Sequence, residues 1–396
     1  MKKIAVLGFG TVGSGVVEII NGTDFTTKIG EDVTVKAILD IRDFTGTPYA
    51  DLVTSDFETI LNDPEIDIAV ETIGGLNPAY DFTKRVLQAG KSVVTSNKEL
   101  VSVHGAELLK LARDKGVCYL FEASVGGGIP IIRPLNNCLL ANEIKSIMGI
   151  LNGTTNYILT KMFKNGETFE SALKDAQDKG YAERNPKADV EGIDAVRKIA
   201  ILSSLAYGKH IDSTKISTEG ITKINLKDVK YAENTGRSVK LIGQSKKTEN
   251  GIYAKVSPLM LPAGHPLHDV EDVFNAILVD GSATGDVMFY GKGAGKLPTA
   301  SAVVADVFDI VKHNCKGAPY WEEGGVICDK NPDKVKYYIR TDASRSDVQS
   351  IFGNVSCMAD DGEVMFVTYE DYDDKINSVI DKFAEKHKIL SKIQVL

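Results

Sequence analysis

Long apolar runs are missing from this chain of 396 residues: no stretch of about 18 consecutive apolar residues occurs, so nothing reads as a membrane-spanning helix. The N-terminal MKKIAVLGFG has too few apolar residues before its first glycine for a signal-peptide core, and a cytoplasmic location is expected. Cationic excess is missing too. A net charge of −8 and a pI near 5.4 offer no general attraction to nucleic acid or an anionic membrane, which leaves a small molecule as the expected partner. Cysteine is sparse and scattered. Cys118, Cys138, Cys315, Cys328 and Cys357 form no CxxC pair, so neither a disulfide framework nor a zinc knuckle is signalled, and all read as buried apolar thiols in a reducing compartment. His265 and His268 stand beside Pro266 with no third ligand nearby, which reads as a loop rather than a metal site.

What is present is a change of texture along the chain. Residues 3–7, 34–39, 66–72, 92–95 and 117–121 are short β-rich or apolar runs separated by helical patterns, and that alternation implies right-handed βαβ units on a parallel sheet. Beyond Pro134, residues 144–151 read as a strand and 154–206 as mostly helical. Residues 237–261 and 274–290 read as longer antiparallel strands, with a hairpin turn at Asn250-Gly251. Residues 299–313 form a helix, and the stretch from Gly317 to Pro332 reads as a linker. From Lys334 the order strand, helix, strand, strand, helix, strand is the ferredoxin-like βαββαβ arrangement. The fold class is therefore α/β, with three expected domains. They are a dinucleotide-binding domain over 1–133 to which 295–318 returns, an α+β substrate and dimerisation domain over 134–294, and a ferredoxin-like domain over 333–396.

GFGTVG at 8–13 follows a strand and opens a helix, the context that a Rossmann fingerprint requires. Gly8 permits the turn, Gly10 lets the backbone approach a pyrophosphate, and Gly13 lets the helix pack close, with Phe9, Thr11 and Val12 filling the same loop. At the end of the second strand, Asp40 suits the ribose hydroxyls of NAD, whereas Arg42 suits the 2′-phosphate of NADP, so the expected cofactor is NAD(P). ETIGG at 71–75, with Thr72, and TSNKEL at 95–100, with Lys98, follow strands, so their loops belong at the carboxyl edge of the sheet. Lys98 is either a lysine that reaches the nicotinamide or a surface lysine at a helix start.

The segment 180–198, GYAERNPKADVEGIDAVRK, gathers Glu183, Asp189, Glu191 and Asp194 with Arg197 and Lys198. Asp194 and Lys198 are spaced i,i+4, which places them on one helix face. The segment is either a polar substrate site or a solvated capping loop.

GFGTVG, TSNKEL, FEASVGGGIPIIRPL, GILNGTTNYIL, GYAE…DVEGIDAVRKIAIL and YGKGAGKLPTASAVVADV, in this order, resemble homoserine dehydrogenase over residues 1 to about 315. The resemblance implies reversible, NAD(P)-dependent interconversion of L-aspartate 4-semialdehyde and L-homoserine, in a homodimer or homotetramer. It implies Lys198 as the general acid, Lys98 assisting proton transfer, and Asp194 orienting the substrate hydroxyl and Lys198. A lysine kept partly desolvated near other cations can exchange protons near neutrality. Gly153, Thr154, Glu183 and Asp189 are implied to hold the amino-acid end. Glu122 with the carbonyls of Val125, Gly127 and Ile129 is implied to surround a sodium ion, although a Gly-rich crossover fits the same residues. Gly293 and Gly295 resemble the family's return loop over the cofactor. The C-terminal unit resembles an ACT domain in element order, but DASRSD replaces the usual Pro-Gly turn. Support of assembly through the unit's two sheet edges, and a weak response to threonine, are therefore expected. Alternatives are another amino-acid or semialdehyde dehydrogenase on this fold, which has no need of NGTTNYIL, and a nicotinamide-sensing regulatory protein, which would lack one of the site's charged residues.

Overall fold

Strands buried on both faces must be covered by helices on both faces, and Ile4, Ala5, Val6 and Leu7 are each 0% exposed. They belong to the strand Lys2–Leu7 at the middle of a parallel sheet whose order is Val53–Thr54, Val33–Leu39, Lys2–Leu7, Ile68–Glu71, Ser92–Thr95, Tyr119–Leu120. This order is the doubly wound one, which reverses beside the first strand and puts a ligand crevice there. The computed structural model describes Met1–Leu396, divided into a first unit of Met1–Ile144, Ala200–Thr214 and Gly281–Gly325 and a second of Lys145–Ile199, Lys215–Asp280 and Val326–Leu396.

In the first unit the helix Lys296–His313 packs on the helix Thr11–Asn21, and the approach is close enough that a Cβ on Gly15 would lie 2.9 Å from Ala300 Cβ. The helix begins three residues before the expected Thr299. Its far end corrects the cysteine expectation: Cys118 and Cys315 form a disulfide across a Cα–Cα distance of 5.3 Å, and Cys138 is exposed rather than buried. Cys328 and Cys357 are half-buried. The bridging pair is 197 positions apart and meets only because the returning helix delivers Cys315 to the sheet edge, which spacing does not reveal.

The second unit is built on one long sheet, in the order Phe274–Gly281, Ile144–Ile150, Arg237–Thr248, Gly251–Pro262, Ile389–Val395, Lys334–Thr341, Glu363–Val367, Cys357–Asp360. The expected hairpin is present, with Thr248 opposite Gly251 at its tip. From Lys334 onward the helices Arg345–Phe352 and Asp373–Ala384 and four of these strands give the ferredoxin-like order. At the junction of its first strand and helix, Ala343 is buried and Ser344 caps the helix through Asp347, so side chains occupy that turn.

The expectation of two free edges on the four-stranded ferredoxin-like sheet does not hold for those four strands. Ile389–Val395 runs parallel to Gly251–Pro262, with Leu259 opposite Gln394, so one edge is covered within the chain and only Cys357–Asp360 is left as an edge strand. The join is held by a buried ion pair. Arg340 Nε lies 2.8 Å from Asp228 Oδ1, which also accepts a hydrogen bond from Tyr338 Oη at 2.9 Å, while Arg340 Nη1 reaches Glu363 Oε2 at 3.0 Å. Asp228 itself sits in the capping box of the helix Leu226–Asn234, so the pair fastens that helix to the C-terminal strands.

Removing one partner of a fully buried pair strands the other charge. Arg340→Met should therefore lower the unfolding free energy by roughly 3–5 kcal/mol in urea denaturation. Asp228→Asn combined with Arg340→Met should recover a large part of that loss; equal stability of wild type and the single variant would show that the pair holds nothing.

Candidate active site

In the first unit the glycine turn is sterically compulsory. Gly8 has φ +97°, and a Cβ on Gly13 would lie 2.0 Å from Gly8 O, so the helix that starts at Thr11 packs onto the turn backbone to backbone. Around Gly10, by contrast, nothing lies within 4 Å of an added Cβ, and the helix Thr11–Asn21 has no side-chain cap. Open space at uncapped N–H groups fits a pyrophosphate. Thr72 Oγ1 donates to Gly8 O at 2.7 Å and so braces the turn from below.

Asp40 and Arg42, read from the sequence as rivals, bind each other. Arg42 Nε and Nη2 lie 2.9 and 2.7 Å from the two oxygens of Asp40, and Asp40 Oδ2 also accepts from Phe9 N at 2.8 Å. The Arg42 side chain holds the Asp40 carboxyl far below the usual carboxylate range. Beside them opens a largely apolar cavity of about 220 Å³, lined by Gly8, Leu39, Asp40, Ile73, Pro78 and Phe82 among others, whose walls fit an adenosine.

The loops after the next two strands are tied together by Glu71. This carboxylate is 0% exposed, accepts from Thr95 Oγ1 at 2.6 Å and Ile73 N at 2.8 Å, and is pushed toward its protonated form by burial. Asn97 bridges the same loops, donating to Gly75 O at 2.6 Å and capping the helix Lys98–Lys115 through Leu100 N. Lys98 is the first residue of that helix.

Glu122 is buried and fully engaged. Its oxygens accept from Ile131 N, Ile132 N and Arg133 N at 2.6, 2.8 and 2.8 Å, and Arg133 Nε lies 3.3 Å away. Its own amide donates to Asp306 Oδ2 at 2.8 Å, and Asp306 pairs with Arg133 Nη2 at 3.2 Å. Burial pushes the Asp306 carboxyl up to about 8. Val125 and Ile129 are buried alongside. A Cβ on Gly127 would lie 2.3 Å from Gly293 O, and Gly128 N donates to Lys292 O at 3.1 Å, so the glycine run is required by backbone packing against the 292–295 loop. Gly295, with φ +123°, starts the helix Lys296–His313.

In the second unit the acidic segment comes together around one residue that the sequence reading did not single out. Asn152 caps the helix Gly153–Asn165, its Oδ1 accepting from Thr155 N at 2.8 Å. Its amide nitrogen donates to Asp189 Oδ1 at 2.7 Å and Asp194 Oδ2 at 2.9 Å. Asp194 Oδ2 in turn lies 2.9 Å from Lys198 Nζ, which also donates to Leu151 O at 2.7 Å. Asp194 is 5% exposed and Lys198 6%, so this is a desolvated pair and not a surface bridge. Gly153 packs so closely that a Cβ would lie 2.6 Å from Val273 O, and Thr154 Oγ1 donates to Tyr181 O at 2.6 Å. Glu183 lies exposed on the preceding turn, and no hydrogen bond joins its carboxylate to this network. The only sequence signal for Asn152 is its place one residue before a helix start, an N-cap preference.

A family model described as homoserine dehydrogenase, NAD binding domain matches residues 8–122, and one described as homoserine dehydrogenase matches 130–308. The homoserine dehydrogenase of Bacillus subtilis is 42% identical over 317 residues, covering 78% of this chain and 73% of the relative. That of Helicobacter pylori is 38% identical over 402 residues, covering 98% and 92%, so its similarity extends through the C-terminal strands. Among solved structures, the Thiobacillus denitrificans homoserine dehydrogenase superposes with a TM-score of 0.91 at 35% identity, covering 100% of this chain and 98% of the other. A hyperthermophilic archaeal homoserine dehydrogenase in complex with NADPH superposes with a TM-score of 0.67 at 30% identity, covering 78% and 98%. With matches on both the glycine turn and the Asn152–Lys198 network, the chain belongs to the homoserine dehydrogenase family and is an NAD(P)-dependent oxidoreductase that interconverts L-aspartate 4-semialdehyde and L-homoserine.

Proposed function

We propose that Lys198 delivers the proton to the carbonyl oxygen of the semialdehyde during reduction and takes it back during homoserine oxidation. The observation that carries this reading is the chain Asp189–Asn152–Asp194–Lys198, buried from Asn152 onward. NAD(P)H, when bound at the glycine turn, supplies the hydride. Lys198 Nζ is held by Leu151 O and Asp194, so its remaining motion is small and its proton is shielded from bulk water. Asp194 positions Lys198 and accepts the substrate hydroxyl, Asp189 receives the substrate ammonium with Glu183 at the rim, and Gly153 and Thr154 line the amino-acid end. Lys98 assists proton transfer from the start of its helix.

Lys198→Ala should lower kcat by about 10² to 10⁴ and leave NADPH binding within about twofold. Lys198→Arg should fail to rescue, because a guanidinium keeps its proton near neutral pH. Turnover within about threefold of wild type in Lys198→Ala would remove Lys198 from this role.

The Asp40–Arg42 pair supports use of both nicotinamide cofactors. With NADP, Arg42 would exchange one carboxylate contact for the 2′-phosphate; with NAD, one Arg42 contact would open so that Asp40, whose acceptor positions are all taken in the closed pair, can accept a ribose hydroxyl. Arg42→Ala should raise the KM for NADPH more than that for NADH, and Asp40→Ala should shift preference toward NADPH while weakening both, since Phe9 N loses its acceptor. Unchanged KM ratios in both variants would place the ribose elsewhere.

A sodium ion held by the carbonyls of Val125, Gly127 and Ile129 and shared with Glu122 belongs to the same reading. Three consecutive glycines, without Cβ atoms, support such a carbonyl set, whereas the hydrogen bonds already made by Glu122 limit its part to a weak ligand. The assembly is a homodimer or homotetramer, a reading supported by the exposed apolar side chains of Met288 and Tyr290 on the strand Gly285–Lys292. Light scattering should give a dimeric or tetrameric mass in both sodium chloride and choline chloride, with turnover reduced several-fold in choline; a monomer, or equal turnover in the two salts, counts against the respective statement.

A further inference from the structure

The pairing of Gly251–Pro262 with Ile389–Val395 is only two residues long, Leu259 opposite Gln394 and Met260 opposite Val395. Just before it, Lys255 and Val256 pair instead with Ser217 and Thr218. Where the edge changes partner the strands part, and a cavity of about 250 Å³ opens, lined by Glu219, Lys223, Lys255, Ser257, Lys392 and Gln394 among others.

Its chemistry is unbalanced in two ways. Ser257 is 3% exposed and Gln394 5%, yet Ser257 Oγ and Gln394 Oε1 have no hydrogen-bond partner, which buried polar atoms seldom tolerate. Three ammonium groups also face one carboxylate. Lys255 has no ion pair, Lys223 meets Glu219 only at 3.9 Å, and Lys392 Nζ lies on the Tyr337 ring, 4.6 Å from its centroid, and donates to Asn377 Oδ1 at 2.5 Å rather than to an acid. Burial, and then Lys255, push the Lys392 ammonium toward its neutral form, a penalty that a bound anion relieves.

We propose that this cavity is a binding site for a small hydroxy- or amino-dicarboxylate, separate from the catalytic residues. Two carboxylates satisfy the lysines, and rotation of the two buried side chains toward the ligand lets Ser257 Oγ donate to a carboxylate and Gln394 Oε1 accept from the ligand's hydroxyl or ammonium. Inorganic phosphate, as HPO4²⁻, can meet a lysine and donate its one P–O–H to Gln394 Oε1, but it carries a single anionic centre where the dicarboxylate carries two. The site also has a physical route to the chemistry. A Cβ on Gly192 would lie 3.1 Å from Thr218 and 3.2 Å from Val256, and Ile221 N donates to Val190 O at 2.8 Å, so both walls of the cavity back onto the turn that opens the helix Ile193–Tyr207.

Isothermal titration calorimetry on the full chain, with homoserine at saturation to occupy the catalytic residues, tests this with L-malate, succinate and inorganic phosphate as probes. L-malate should bind measurably, succinate and phosphate about tenfold or more weakly, and Lys223→Met and Lys255→Met should each weaken L-malate about fivefold. Lys223 is exposed, so its variant will fold. Absence of heat with L-malate, phosphate binding as tightly as L-malate, or unchanged affinity in the Lys223→Met/Lys255→Met double variant would overturn the proposal.

Discussion

One side-chain amide holds two carboxylates in place, and the polar network of the second unit depends on it. Asp189 and Asp194 carry like charges that repel in a site of low dielectric, and the two N–H groups of Asn152 give each an acceptor's partner without adding a charge. Because the same residue's Oδ1 caps the helix Gly153–Asn165, the carboxylates are referenced to a rigid element and not to a loop. Lys198 is then located from both sides, by Asp194 and by a backbone carbonyl one residue before Asn152. The result is an ammonium held in one place by two fixed partners.

The first unit solves a different problem, bringing backbone close to backbone. At Gly13 against Gly8, and at Gly127 against Gly293, a single Cβ would overlap a carbonyl oxygen. Both contacts are bounded by a returning or starting helix, so the glycines set how deeply those helices seat on the sheet. Asp306 and Arg133 complete the second of these contacts, with the Glu122 carboxylate serving as a cap for three successive amides.

What could be read from residues alone was local. The Rossmann turn, the element order of residues 334–396 and the Asp194–Lys198 face all rest on short-range periodicity, and each appears at nearly the expected positions. Asn152 meets its carboxylates 37 and 42 positions away, and Asp306 meets Glu122 across 184, distances at which spacing carries no information. Asp40 and Arg42 show the converse. They are two residues apart, yet side-chain direction, not proximity in sequence, decides that they bind each other. The disulfide and the covered sheet edge were illegible for the same reason as Asp306: each is made by a segment that returns from far along the chain.

The covered edge bears on how the chain is made. Gly251–Pro262 is synthesised more than a hundred residues before Ile389–Val395, the segment that pairs with its far end. Throughout that interval the strand's unpaired amides and carbonyls are a template for pairing with another nascent chain. The early partners Ser217–Thr218, already made, and Ile327–Cys328 cover the rest of that edge piecewise, at Lys255–Val256 and Ile252–Tyr253. A broken series of short strands thus acts as a temporary guard rail, shielding the edge in instalments as the polypeptide emerges.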